Sequence, residues 1–193
     1  METKDKVLNS ALILFVENGF DATTSSITKR ARVSSGILFH YFNTKTDLII
    51  ELYTKILSEY YSQAAQTLQD IPQNDLEKYQ KIVRLSQEKM VYWGINNWQK
   101  FQYLQLFEGS LLANQFSLQE NKEIEKMYLR FYEVTRLGIE YGYLKNLPVD
   151  YLTNIGVVMS SYDIKYFHEN PKYWNDENFK EDLWQIQWNI IAK

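Results

Sequence analysis

The chain has 193 residues, 45% of them hydrophobic and 23% charged, enough apolar material to build a core for one domain or for a small module fused to a larger one. It contains no cysteine, which excludes disulfides, thiolate metal sites and a cysteine nucleophile. The longest purely apolar run, Ala11 to Val16, is far shorter than the roughly 18 residues a membrane span needs. A cytoplasmic protein without a membrane partner is the expectation.

The net charge of −3 argues against a protein that coats nucleic acid indiscriminately, but the charge is unevenly placed. Residues 28–46 hold Lys29, Arg30, Arg32 and Lys45 and no acid, whereas residues 47–193 hold fifteen basic against twenty acidic residues. A short basic island sits in an acidic chain.

Seven glycines, three prolines and long stretches of 3.6-residue apolar spacing predict an all-α fold of about nine helices. In the first helix Leu8, Ala11, Leu12 and Phe15 form one stripe, and Gly19 ends it. Thr24, Ser25 and Ser26 offer caps for a second helix that buries Ile27 and Ala31 and, just beyond it, Val33. Ser34 is placed to cap a third short helix, Ser35 to Phe42, whose inward residues are Leu38 and Phe42. Asn43 or Thr44 then caps a long fourth helix with Leu48, Leu52, Ile56 and Tyr60 on one face and Ile49, Tyr53 and Leu57 beside it.

A linker at Asp70 to Asp75 follows. Further helices are predicted at about 76–93, 97–113, 120–141, 151–168 and 176–192, with Gly142 and Pro148 marking one break and Asn170 with Pro171 another. The domain cut is placed near residue 46, where the basic island ends: a three-helix domain at 1–46 and a larger helical domain at 47–193.

Two short helices joined by a turn of three or four residues, the second free of acids, form a helix-turn-helix of the kind that seats a helix in the major groove. An ordinary three-helix corner with solvated basic residues has the same local pattern.

The wording of the segment is more specific. The strings Ala11-Leu-Ile-Leu-Phe15, Asn18-Gly-Phe-Asp-Ala-Thr-Thr24, Ile27-Thr-Lys-Arg-Ala31 and Val33-Ser-Ser-Gly-Ile-Leu-Phe-His-Tyr-Phe42, followed by Lys45 and Asp47-Leu48, resemble the DNA-binding domain of the TetR family across residues 6–52. Departures are present: Arg32 stands where the family usually has glycine, and the distance from Gly19 to Ile27 is one residue short. Ser35 and Ile37 stand where Lys or Arg and Thr are frequent, and Phe39 replaces a common tyrosine.

The resemblance implies a homodimeric transcriptional repressor, released from a palindromic double-stranded operator by a small lipophilic or aromatic effector. It implies a DNA-binding domain at 1–46 and a ligand-binding and dimerisation domain at 47–193, with backbone contacts from Thr24, Ser25, His40, Tyr41 and Lys45, Ser34 also at the DNA, Gly36 allowing close approach, and a groove-facing set of Ser35, Ile37 and Phe39. Ile37 and Phe39 offer only apolar contact, which thymine methyls can receive.

Leu152, Ile155, Met159, Tyr162 and Tyr166 recur at spacings of three and four, with Gly156 and Ser160 small enough for close approach. The last helix carries two stripes, Phe179, Leu183, Ile186 and Ile190 on one and Trp184, Trp188 and Ile191 on the other. Leu152, Ile155, Met159, Tyr162, Leu183, Ile186 and Ile190 are therefore the candidate dimer interface. Burial of both stripes within one chain is the alternative.

Trp93, Tyr103, Phe107, Tyr128, Phe131 and Tyr162 are the candidate effector pocket, since lipophilic sites are lined by aromatics, as packed cores are too. Glu108 and Asp163, flanked by aromatics, could meet a cationic ligand, or be solvated or paired with Arg and Lys.

An enzyme is disfavoured. There is no phosphate loop, no His-Glu-x-x-His helix and no metal-ligand cluster, and the two histidines, His40 and His168, fall in different predicted domains. No cofactor is expected. The remaining rival is a helical ligand-binding or protein-interaction module that has lost specific DNA reading.

Overall fold

A computed structural model describes residues 2–68, 70–116 and 122–193. Among the described residues there are nine α-helices: α1 Thr3–Asn18, α2 Thr24–Ala31, α3 Ser35–Tyr41, α4 Lys45–Ala65, α5 Leu76–Asn96, α6 Trp98–Glu108, α7 Lys122–Glu140, α8 Val149–Glu169 and α9 Glu177–Ile191. The only β pairing among them is a single bridge between Leu144 and Ala192.

The helix expected at 97–113 is shorter than its apolar pattern. It ends at Glu108, and after Gly109 a tight 3-10 helix, Leu111–Gln115, begins with the Ser110 hydroxyl accepting from the Leu112 N–H at 3.2 Å. The start expected near 120 lies outside the described residues.

The chain divides into two compact units, Met1–Ser58 with Asn97–Asn121, and Glu59–Asn96 with Lys122–Lys193. The division falls inside α4 and later than residue 46, and it joins α6 to the N-terminal helices. Aromatic packing is the reason. Within the first unit Phe15, Phe20, Tyr103 and Phe107 interlock, Tyr53 stacks on Phe107 with centroids 3.9 Å apart, and the buried Tyr103 hydroxyl donates to the Ile49 carbonyl at 2.8 Å.

The second unit is built on Leu68, Tyr79, Val134, Leu144, Leu152, Trp184 and Trp188. Its chain end is pinned by main-chain bonds, Lys145 N–H to Ile191 at 2.9 Å and Lys193 N–H to Tyr143 at 3.1 Å. Gly94 of α5 lies so close to the fully buried Ile164 of α8 that a Cβ there would sit 2.5 Å from the isoleucine Cδ1. The two helices meet only because one side chain is missing.

A polar staple crosses this core. The buried Asp163 carboxylate of α8 accepts from Gln187 Nε2 of α9 at 2.9 and 3.0 Å and from Gln87 Nε2 of α5 at 3.2 Å, while Gln87 Nε2 also donates to Gln187 Oε1 at 2.5 Å. Nearby cations are engaged elsewhere: Arg84 with Glu88 and Glu181, Lys180 with Glu177. Burial pushes the Asp163 carboxyl up to about 6 against the pull of the two amides. A buried carboxylate with neutral partners favours its protonated form.

Two outcomes follow from this packing. Gly94→Ala is expected to cost about 1–2 kcal/mol despite the better helix propensity of alanine, and Ile164→Ala should be less harmful in the Gly94→Ala background than alone. Additive losses in a thermal-melt double-mutant cycle would contradict that contact. Because the folded Asp163 value lies above its ordinary 3.8, its contribution is fully present below about pH 4 and lost as pH rises through 6. The stability of Asp163→Asn relative to wild type should therefore gain about 2 kcal/mol between pH 4 and pH 7, measured by urea titration, and a pH-independent difference would refute the burial.

Candidate nucleic-acid interface and effector cavity

The α2–α3 pair is set by three local devices. The cap of α2 is Thr23, one residue before the expected set, its hydroxyl accepting from the Ser26 N–H at 3.1 Å, which leaves Thr24 and Ser25 in the first turn. Arg32 ends α2 in the left-handed conformation at φ 57° and ψ 45°, with its N–H donating to Lys29. That conformation is why glycine suits the position, and an arginine there accepts a strain of order 1 kcal/mol. Ser34 then caps α3, accepting from the Ile37 N–H at 3.3 Å.

Leu38 is fully buried and Phe42 nearly so, and this fixes which face of α3 meets solvent. That face carries Ser35, Gly36, Ile37, Phe39, His40 and Tyr41, with Ile37 39% exposed, Phe39 48% and Tyr41 38%. His40 and Tyr41 sit edge to face, 5.3 Å between centroids. Lys29, Arg30 and Arg32 are exposed beside them.

Lys45 is partly buried, and its ammonium donates to the Phe20 carbonyl, so it ties the start of α4 to the turn after α1. The start of α4 is itself boxed: Thr44 Oγ1 accepts from the Asp47 N–H at 3.0 Å, and Asp47 Oδ2 accepts from the Thr44 N–H at 2.9 Å.

In the second unit a cavity of about 100 Å3 is lined by Val83, Met90, Phe131, Leu152, Gly156, Met159 and Trp184, with Ser86, Gln87, Thr135, Thr153, Ser160 and Gln187 among its polar residues. Of the six aromatics expected to line a pocket, Phe131 does so. Tyr103 and Phe107 are instead buried in the first unit, where Phe15 and Phe20 claim them. Trp93 packs on Tyr60, Tyr128 neighbours Tyr61, and Tyr162 is 65% exposed.

Asp163 meets two glutamines, and Glu108 accepts from Gln105 at 3.1 Å. Sequence reasoning missed Gln87 and Gln187. The available signal was an amide at position 187 within the apolar run Trp184, Trp188 and Ile191.

The α8 and α9 helices leave an apolar face uncovered in the single chain. Tyr151, Val158 and Tyr162 on α8 and Ile186 and Ile190 on α9 are exposed, Val158 at 67% and Ile186 at 62%. Leu152 is buried in its own unit, and Met159 and Leu183 are partly buried against cavity walls. The open positions on α8 are therefore Tyr151, Val158 and Tyr162, rotated by one residue from Leu152 and Met159, while Ile155 is half-buried against the unit's own core. Among the described residues no helix is long and apolar enough to cross a membrane, and no three His, Asp or Glu side chains gather as a metal would need.

Residues 7–52 match the family of bacterial regulatory proteins described as tetR. The HTH-type transcriptional repressor KstR2 of Mycobacterium tuberculosis is 31% identical over 153 residues, spanning 76% of this chain and 72% of the repressor. A tetR family transcription regulator from Shewanella sp. PV-4 shares the fold over the whole of both chains, with a TM-score of 0.85 and 23% identity. The transcriptional regulator FadR of Bacillus subtilis, solved with stearoyl-CoA, does so over 95% of this chain and 96% of its own, with a TM-score of 0.66 and 15% identity. With a helix-turn-helix ahead of a helical second unit and these relatives beside it, the chain belongs to the tetR family and is a DNA-binding transcriptional regulator.

Proposed function

We propose that this chain is a homodimeric repressor that holds a palindromic operator through α2 and α3 and releases it when a small, largely apolar molecule fills the cavity of the second unit. The observation that carries the reading is the outward face of α3, flanked by exposed Lys29, Arg30 and Arg32 in a stretch without one acid. A surface of that charge meets phosphates, and a short helix with small residues at its start fits a major groove.

Thr24, Ser25, Ser34, His40 and Tyr41 are assigned to the backbone, and Ser35, Gly36, Ile37 and Phe39 to the bases. Lys45 acts first by holding α4 to Phe20 and has two further protons for phosphate. One copy offers few phosphate ligands, so dimerisation doubles the contact set and places two copies of α3 in successive grooves.

The open face of Tyr151, Val158, Tyr162, Ile186 and Ile190 supports a twofold contact between the last two helices of each copy. The cavity, mostly apolar but carrying amides and hydroxyls at Ser86, Gln87, Thr135, Thr153, Ser160 and Gln187, supports an effector with an apolar body and a few hydrogen-bonding groups. Such a molecule weakens DNA binding only by preferring the conformer in which the paired recognition helices miss their grooves. The work is binding rather than catalysis, and its place is the cytoplasm, where the operator is.

Selection from a random duplex library should recover an inverted repeat bound by two copies, with affinity falling steeply between 50 and 200 mM salt. Tyr41→Phe should weaken binding several-fold across all selected sequences, as a lost phosphate contact does. Recovery of no sequence, or of unpaired half-sites bound by single copies, would overturn the reading. A Val158→Glu, Ile186→Glu pair should give monomers in sedimentation with helix content unchanged, and a dimer that survives both changes would place the interface elsewhere.

A further inference from the structure

The solvent face of α3 has an unusual chemistry for a surface that reads bases. From Ser34 to Phe42 there is no Arg, Lys, Asn, Gln, Asp or Glu, and these are the side chains that pair in forked fashion with guanine or adenine, or accept from cytosine. The outward positions instead hold two small residues, two large apolar ones, a histidine and a tyrosine.

Ile37 and Phe39 are held outward because Leu38, between them, is fully buried. Neither can fold back into the core. The charged groups that would anchor the chain to phosphates, Lys29, Arg30 and Arg32, lie on α2 and in the turn, outside α3. The cationic part of positioning therefore lies outside the reading helix, which itself adds only the neutral backbone contacts of His40 and Tyr41.

In the major groove the one apolar group that a base edge presents is the C5 methyl of thymine. Ile37 and Phe39 gain by covering it and lose by facing the polar edges of a G·C pair, whose donors and acceptors they would leave unpaired.

Resting on the regulator reading above, we infer that α3 selects its operator by thymine methyls, through Ile37 and Phe39, and that the half-site is fixed by A·T pairs at the positions these two side chains cover. The His40–Tyr41 pair serves register through the backbone. Discrimination against G·C comes from desolvation rather than from a matched hydrogen bond.

The test uses full-length protein and the operator recovered by selection, with thymine replaced by uracil one position at a time. This removes a methyl and leaves every hydrogen-bonding group in place. Binding should weaken about fourfold at each of two or three positions per half-site and stay level elsewhere. In Phe39→Ala, and separately in Ile37→Ala, the penalty should vanish at the position that side chain covers and persist at the others. Both side chains are exposed, so the variants should melt as the wild type does.

If an operator substituted with uracil throughout binds as tightly as the thymine one, or the positions that fix the half-site are G·C pairs, the thymine reading is wrong while the regulator reading stands. If no duplex shows selective binding, the regulator reading fails and takes this inference with it.

Discussion

A helix of seven residues cannot hold itself together in water, because the cost of its first turn is never recovered by propagation. The outward face of α3 exists because Leu38 and Phe42 are driven into the core of the first unit. Every statement about what this protein reads depends on that burial, since a rotation of 100° would turn Leu38 out and Ile37 or Phe39 in. The caps at Thr23 and Ser34, the left-handed Arg32 and the Lys45 tie to Phe20 all hold α3 against such a rotation. The aromatic stack behind them, from Phe15 through Tyr103 to Phe107 and Tyr53, gives these local devices something rigid to rest on.

The second unit solves a different problem. Its core contains a carboxylate that makes no ion pair among the described residues and is held by two glutamine amides from two other helices. Such an arrangement is costly in its ionised form, and it makes the meeting of α5, α8 and α9 sensitive to small shifts. The same two glutamines line the cavity. A molecule that hydrogen-bonds to Gln87 or Gln187 therefore competes with the staple that joins these helices, which gives an effector a route to change their packing without reaching α3 itself.

Much of this was legible in the sequence, and the pattern of what was not is instructive. Stripes such as Leu8, Ala11, Leu12 and Phe15, or Leu48, Leu52 and Ile56, specify helices and their buried faces because period and burial are the same information. The inward Leu38 and Phe42 and the cap at Ser34 followed from spacing of four and from side-chain chemistry. The cap of α2 falls on Thr23 rather than on Thr24, Ser25 or Ser26 because four consecutive hydroxyl residues compete for one role. Tyr103 and Phe107 read as pocket residues because aromatics at helical spacing do not say which core they enter, and α6 serves the first unit. The open stripe on α8 was displaced from Leu152 to Tyr151 and Val158, since a helix with apolar residues on most sides declares burial but not the direction of each partner.

The central claim is that α3 enters the major groove of duplex DNA, twice per bound dimer. The most direct measurement is a hydroxyl-radical footprint of the full-length protein on its selected operator, which maps protected sugars at single-nucleotide resolution. The account predicts two protected patches on one face of the duplex, centred one helical turn or a whole multiple of it apart, roughly 34 to 36 Å per turn. A single patch, or protection spread evenly along the DNA, would contradict it.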